Sequence, residues 1–153
     1  MKETWSMLTR ILAATLAGGV AFFVLGFLIY GLVLDPMFMR PNLTAEATKV
    51  MMEVPVWAPL VLSNFVSALL FTFIFDQWAG IRTFVGGLKG GAIIMFLNAL
   101  SIDLGFGAFM KLYNGYTPFV FDIIGATIMG AIAGGVIGAV LGIMDKKPSP
   151  AAE

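Results

Sequence analysis

Between Ile11 and Leu34 the chain runs 24 residues without a charged side chain. About 20 apolar helical residues cross the hydrocarbon of a bilayer, and a helix pairs its own backbone groups where no water can. Three more predominantly apolar stretches of that length follow, one after Pro55 and running to Phe75, one from Leu88 to Met110 and one from Pro118 to Met144. The chain therefore reads as all-α: a polytopic membrane protein with four transmembrane helices in a compact bundle. Composition agrees, because 153 residues that are 59% hydrophobic and 12% charged cannot clothe a soluble domain of that size.

The first run is too long for the apolar region of a signal peptide, and no small-residue cleavage pattern follows it, so it reads as a retained helix. Its predicted span is Arg10 to Leu34, ended by Asp35-Pro36 because a residue before proline is pushed out of the helical region. The first loop, Asp35 to Val54, carries a pattern of its own. Asn42 or Thr44 is placed to cap a short helix over Leu43 to Glu53, with Leu43, Ala47, Val50, Met51 and Val54 near one face. That pattern predicts an interfacial helix lying on the membrane surface. The whole is one transmembrane domain over 1–145 with a polar tail over 146–153.

With no cysteine and no histidine, disulfides, thiolate metal sites and triads built on histidine are excluded. No metal or cofactor is expected. Nine basic and nine acidic residues cancel, and no basic patch points to nucleic acid. Four crossings put both termini and the second loop on one side. That side holds Lys2, Arg10, Arg82, Lys89, Lys146 and Lys147, against Arg40, Lys49 and Lys111 on the other. The excess of basic residues places both termini in the cytoplasm.

The fourth segment carries the most regular pattern. Gly130, Gly134, Gly138 and Gly142 recur every fourth residue, and Ala126 extends the row. A stripe without side chains lets a neighbouring backbone approach closely. Its partner is either another helix of this chain or a second protomer. The glycine pairs Gly18-Gly19, Gly86-Gly87 and Gly90-Gly91 favour the first.

Ionisable groups inside hydrocarbon are costly and are candidate functional residues. Asp103 lies about 10 Å inside the outer end of the third segment, at 1.5 Å per residue. Asp122 lies just inside the fourth, and Asp35 closes the first. Asn64 enters at a depth similar to Asp103, and Asn98 lies deeper on the same segment as Asp103. These five residues form a candidate ligand or ion site in the outer leaflet. The competing reading makes Asp35 and Asp122 helix caps and pairs Asp103 with Lys111 or Arg40. Geometry further predicts that Asp103 faces the bundle interior, within one side-chain layer of Asn64 or Asp122. Asp76, Arg82, Arg10 and Lys89 read as boundary anchors and loop salt bridges.

Phe23, Gly26, Tyr30, Gly31, Pro36, Phe38 and Met39 resemble the first helix of a family of small bacterial four-helix membrane proteins with no assigned function. The resemblance covers the first forty residues or so and the general layout. It implies a four-helix protein of a bacterial inner membrane and no chemistry. Three function classes follow from the residues. The first is an accessory or structural subunit packed against a larger membrane assembly. The second is a small cation- or proton-coupled transporter or channel, working as an oligomer through the outer acidic cluster. A membrane enzyme comes last, because no nucleophile has a base beside it. The expected partners are the lipid bilayer and either other membrane subunits or a second copy.

Overall fold

The computed structural model describes residues 2–145, with side chains from residue 7 onward, so the expected polar tail lies outside the described residues. Helix α1, Lys2–Gly26, continues without a break into a wide-turn π segment, Phe27–Met39, and a 3-10 turn, Arg40–Asn42. The short α2, Ala45–Val50, follows. Helix α3, Trp57–Phe73, also ends in a wide-turn segment, Ile74–Ala79. Helices α4, Phe84–Phe109, and α5, Thr117–Asp145, complete the chain.

Four helical spans are long and apolar enough to cross a membrane: Met7–Asn42, Trp57–Ala79, Phe84–Phe109 and Thr117–Asp145. Leu16, Val20, Leu62, Leu97 and Ile128 are among the large apolar side chains left exposed. Lipid is the solvent in which that surface is stable. The bundle has a terminal end, where α1 begins and α5 stops, and a long-loop end, which carries α2 and the α4–α5 connection.

The first helix corrects the sequence reading. Pro36 does not end it. Proline lacks an N–H, and its ring collides with the carbonyl four residues back in a normal helix. Moving the pairing to i→i+5 relaxes that collision, and the wide turn carries the helix through Pro36 to Met39. The surface helix is shorter than its pattern, Ala45–Val50, and Thr44 is its cap, accepting a hydrogen bond from the Ala47 N–H at 3.2 Å. Asn42 spends its amide on the Phe38 carbonyl at 2.8 Å.

Helix α5 is the centre of the bundle. It packs against α1, α3 and α4, whereas the extensive packing of α4 is with α5 alone. The core joins Ala14 and Phe22 of α1, Ala68 and Phe71 of α3, Phe75 just beyond it, and Ala133, Ile137 and Leu141 of α5. Phe22 and Phe71 meet edge to face with centroids 5.2 Å apart. The glycine stripe of α5 lies against α4. A Cβ built on Gly134 would sit 2.5 Å from the Gly87 carbonyl oxygen, and one on Gly138 2.5 Å from that of Thr83. A Cβ on Gly91 would strike the Gly130 carbonyl, and one on Gly142 that of Arg82. The two backbones touch with nothing between them. Gly18 of α1 instead faces Ile137 and Ala68.

Candidate functional site

The α4–α5 seam has one register along its length. Gly87 faces Gly138, Gly91 faces Gly134, and Met95 packs on Gly130. Each step of four residues up α4 is matched by four down α5. Two further steps bring Ala99 level with Ala126, both buried, and then Asp103 level with Asp122. The two acids are thus the last rung of the seam. Their side chains converge at that end of the seam, on one cavity. Asp103 Oδ2 is buried there and has no hydrogen-bond partner among the described residues.

The pair lines a cavity of about 300 Å³. Tyr30, from the wide-turn part of the first helix, and Tyr113, from the α4–α5 connection, supply its other polar groups, and Met39, Ile102, Phe106, Leu112 and Phe119 its apolar walls. Tyr30 donates to the Asp122 backbone carbonyl at 3.3 Å. Burial holds the Tyr113 phenol above its usual range, and the charges of Asp122, Asp103 and Asp35 push the same way, so it stays a neutral hydroxyl. A second hollow of about 450 Å³, lined in part by Lys111 and Tyr116, shares Leu112, Tyr113 and Phe119 with the first. Tyr113 therefore stands between the acid cavity and a vestibule at the long-loop end.

The two loops at that end are tied over the cavity. Leu43 and Tyr113 form an antiparallel bridge. Thr44 N–H donates to the Leu112 carbonyl at 3.1 Å, Thr44 Oγ1 to Lys111 at 2.9 Å, and Asn114 N–H to Asn42 at 2.7 Å. Phe38 stacks on Phe121 with centroids 3.8 Å apart.

Of the five candidate site residues, Asp103 and Asp122 come together. Asp35 does not join them, because it pairs with Arg40. With i→i+5 pairing, Arg40 stands one wide turn above Asp35, a neighbour that a helix stopped at Pro36 would not provide. Arg40 also donates to the Glu53 carbonyl at 3.0 Å and has no ion pair with Asp103. Asn64 lies near Gly26 and gives its amide to Leu60 of its own helix at 2.7 Å. Asn98 is exposed on α4, away from the cavity. Among the described residues no group of three or more acidic side chains gathers to hold a metal.

Of the residues read as simple anchors, Arg10, Asp76 and Arg82 make a denser cluster at the terminal end than the sequence implied, while Lys89 is exposed on α4. Asp76 has a fully buried side chain and receives Arg10 at 2.9 Å and Arg82 at 2.8 Å. Gln77 adds a hydrogen bond at 2.6 Å. Asp145 at the end of α5 joins Arg10 at 3.0 Å and Arg82 at 3.6 Å. Arg82 also donates to the carbonyls of Phe75, Asp76 and Ile81, capping the wide-turn segment that holds Asp76. The bundle thus has an acid cavity near one end and a charge-balanced cluster across the other. Comparison with protein-family models, curated proteins and solved structures finds no match to this chain.

Proposed function

We propose that the protein is a small proton- or cation-coupled membrane carrier that works through the Asp103–Asp122 pair. The observation behind this reading is that two carboxyl side chains from two helices line one cavity inside the span, where a carboxylate is otherwise costly. Two acids that share a proton exchange it for a cation with little change in net charge. Tyr30 and Tyr113 offer neutral oxygens to whichever occupant is present. At the other end, Arg10, Asp76, Arg82 and Asp145 join α1, α3, the α3–α4 connection and α5, and act as the closed side of the carrier.

Purified protein in liposomes is expected to move protons or a monovalent cation down an imposed gradient, read with an internal pH dye or a cation indicator. Asp103→Asn and Asp122→Asn should abolish that flux and leave the unfolding temperature in detergent near that of the parent. Wild-type flux no greater than that of empty liposomes, or undiminished flux in both variants, overturns the reading. A second reading is an accessory subunit of a larger assembly, favoured by α4, whose extensive packing is with one helix only. A stoichiometric membrane partner retained in mild detergent, together with no flux, selects it.

The same proposal sets both termini in the cytoplasm, supported by the six-to-three split of basic residues. It turns the acid cavity outward. A reporter active only in the cytoplasm should work when fused after residue 145 and fail within the loop between α2 and α3. The reverse pattern inverts the carrier.

A further inference from the structure

We propose that α4 is the face on which two copies of this chain associate, with Asn98 of each copy hydrogen-bonded to the other. The proposal is independent of the carrier reading. Asn98 precedes Asp103 by five residues, about 140° around the helix, and so points away from the cavity. Helix α4 is an edge helix, and its extensive packing is with α5 alone. Asn98 lies in the middle of the span, is exposed, and has no hydrogen bond among the described residues. A primary amide held in hydrocarbon with two donors and an acceptor unused is unfavourable, and a second helix is what satisfies it there. The neighbouring surface fits such a helix. Ser101, one turn on, is exposed, and a Cβ at Gly105 would meet nothing within 4 Å.

The occupant is a second copy because of the chemistry of the amide. A carboxamide both donates and accepts, so two of them related by a two-fold axis along the membrane normal satisfy each other reciprocally. A copy in the same orientation also presents its Asn98 at the same depth by symmetry, which an unrelated helix does not. Ser101 brings a second group that donates and accepts to the same interface.

The chain contains no cysteine, so single cysteines introduced by mutation report proximity cleanly. Asn98→Cys and Ser101→Cys, each made in the full chain and oxidised in membranes with copper phenanthroline, are expected to give disulfide-linked dimers. Leu16→Cys on α1 and Val66→Cys on α3, both exposed in their spans, should stay monomeric. In mild detergent the wild-type mass by light scattering should be that of a dimer. Asn98→Leu should weaken self-association about three- to thirtyfold, the range for an interhelical hydrogen bond in lipid, while Asn98→Gln restores most of it. Because Asn98 is exposed, Asn98→Leu leaves the protomer folded, which its unfolding temperature checks. A monomeric wild type, equal crosslinking at all four positions, or a complex with a different protein seated on α4 overturns the proposal.

Discussion

Gly134→Ile is expected to separate α4 from α5 and to remove the folded bundle from detergent solution. A single added Cβ at Gly134 would already lie 2.5 Å from the Gly87 carbonyl oxygen and 2.9 Å from the Gly91 Cα. Both are backbone atoms, so no side-chain rotation relieves the collision. Isoleucine adds three further carbons beyond that Cβ. Overpacking in a tight core costs about 1–3 kcal/mol and sometimes more, and an insertion between two touching backbones belongs at or beyond the top of that range. Even Gly134→Ala should lower the unfolding midpoint. The comparison that isolates the cause is Gly107→Ala on α4, where a Cβ meets nothing within 4 Å. Removing a helical glycine there should be neutral or stabilise by up to about 1 kcal/mol. Ala133, which the stripe pattern marks as a position outside the contact, is unsuitable as a comparison: it is fully buried in the core beside the stripe. Equal midpoints for Gly134→Ala and Gly107→Ala in a thermal melt would mean that the seam does not hold the bundle together.

That seam also shows how far the sequence could be read. Four spans are visible because hydrocarbon admits so few alternatives to an apolar helix. The four-residue period of Gly130, Gly134, Gly138 and Gly142 identifies one side of a close contact, and Gly87 and Gly91 repeat the period on the other. Carried along both helices in antiparallel register, the same period reaches Asp122 and Asp103, so their shared level on the seam is implicit in the glycines. Depth alone is a weaker guide. It grouped Asn64 and Asn98 with the acids, yet depth along a helix fixes nothing about direction around it. Asn64 bonds to its own backbone, and Asn98 faces outward. The wide turns were hidden for a different reason. Proline in a segment reads as a stop, and only the tertiary contacts of Leu34, Phe38 and their neighbours with α5 show that the helix gains by continuing. Once it continues, Asp35 and Arg40 become neighbours and Asp35 leaves the site.

Asp76→Asn is expected to cause the largest loss of stability of any isosteric change in the chain. Its carboxylate is completely enclosed and balances two guanidiniums whose side chains are 19% and 23% exposed. Asparagine keeps the volume and removes the charge, so Arg10 and Arg82 are left facing each other with only Asp145 to offset them. Removing one partner of a buried ion pair costs about 3–5 kcal/mol, because the remaining charge stays desolvated. Asp145 provides the internal comparison. It touches the same two arginines, but its side chain is 52% exposed. Exposed pairs contribute about 0–1 kcal/mol, so Asp145→Asn should shift the midpoint little. The two arginines differ as well. Arg82 holds the carbonyls of Phe75, Asp76 and Ile81 besides Asp76 itself, whereas Arg10 binds only carboxylates among the described residues. Arg82→Met should therefore cost more than Arg10→Met, since it also frees three backbone acceptors at the end of the α3 span. Salt separates the contributions further, because a partly exposed pair is screened and an enclosed one is not. Raising ionic strength should leave the Asp76→Asn deficit nearly unchanged and erase that of Asp145→Asn. Thermal melts of the four variants at low and high salt read all of this directly. Midpoint shifts of similar size for Asp76→Asn and Asp145→Asn would show that the enclosed aspartate is not the keystone of the terminal end.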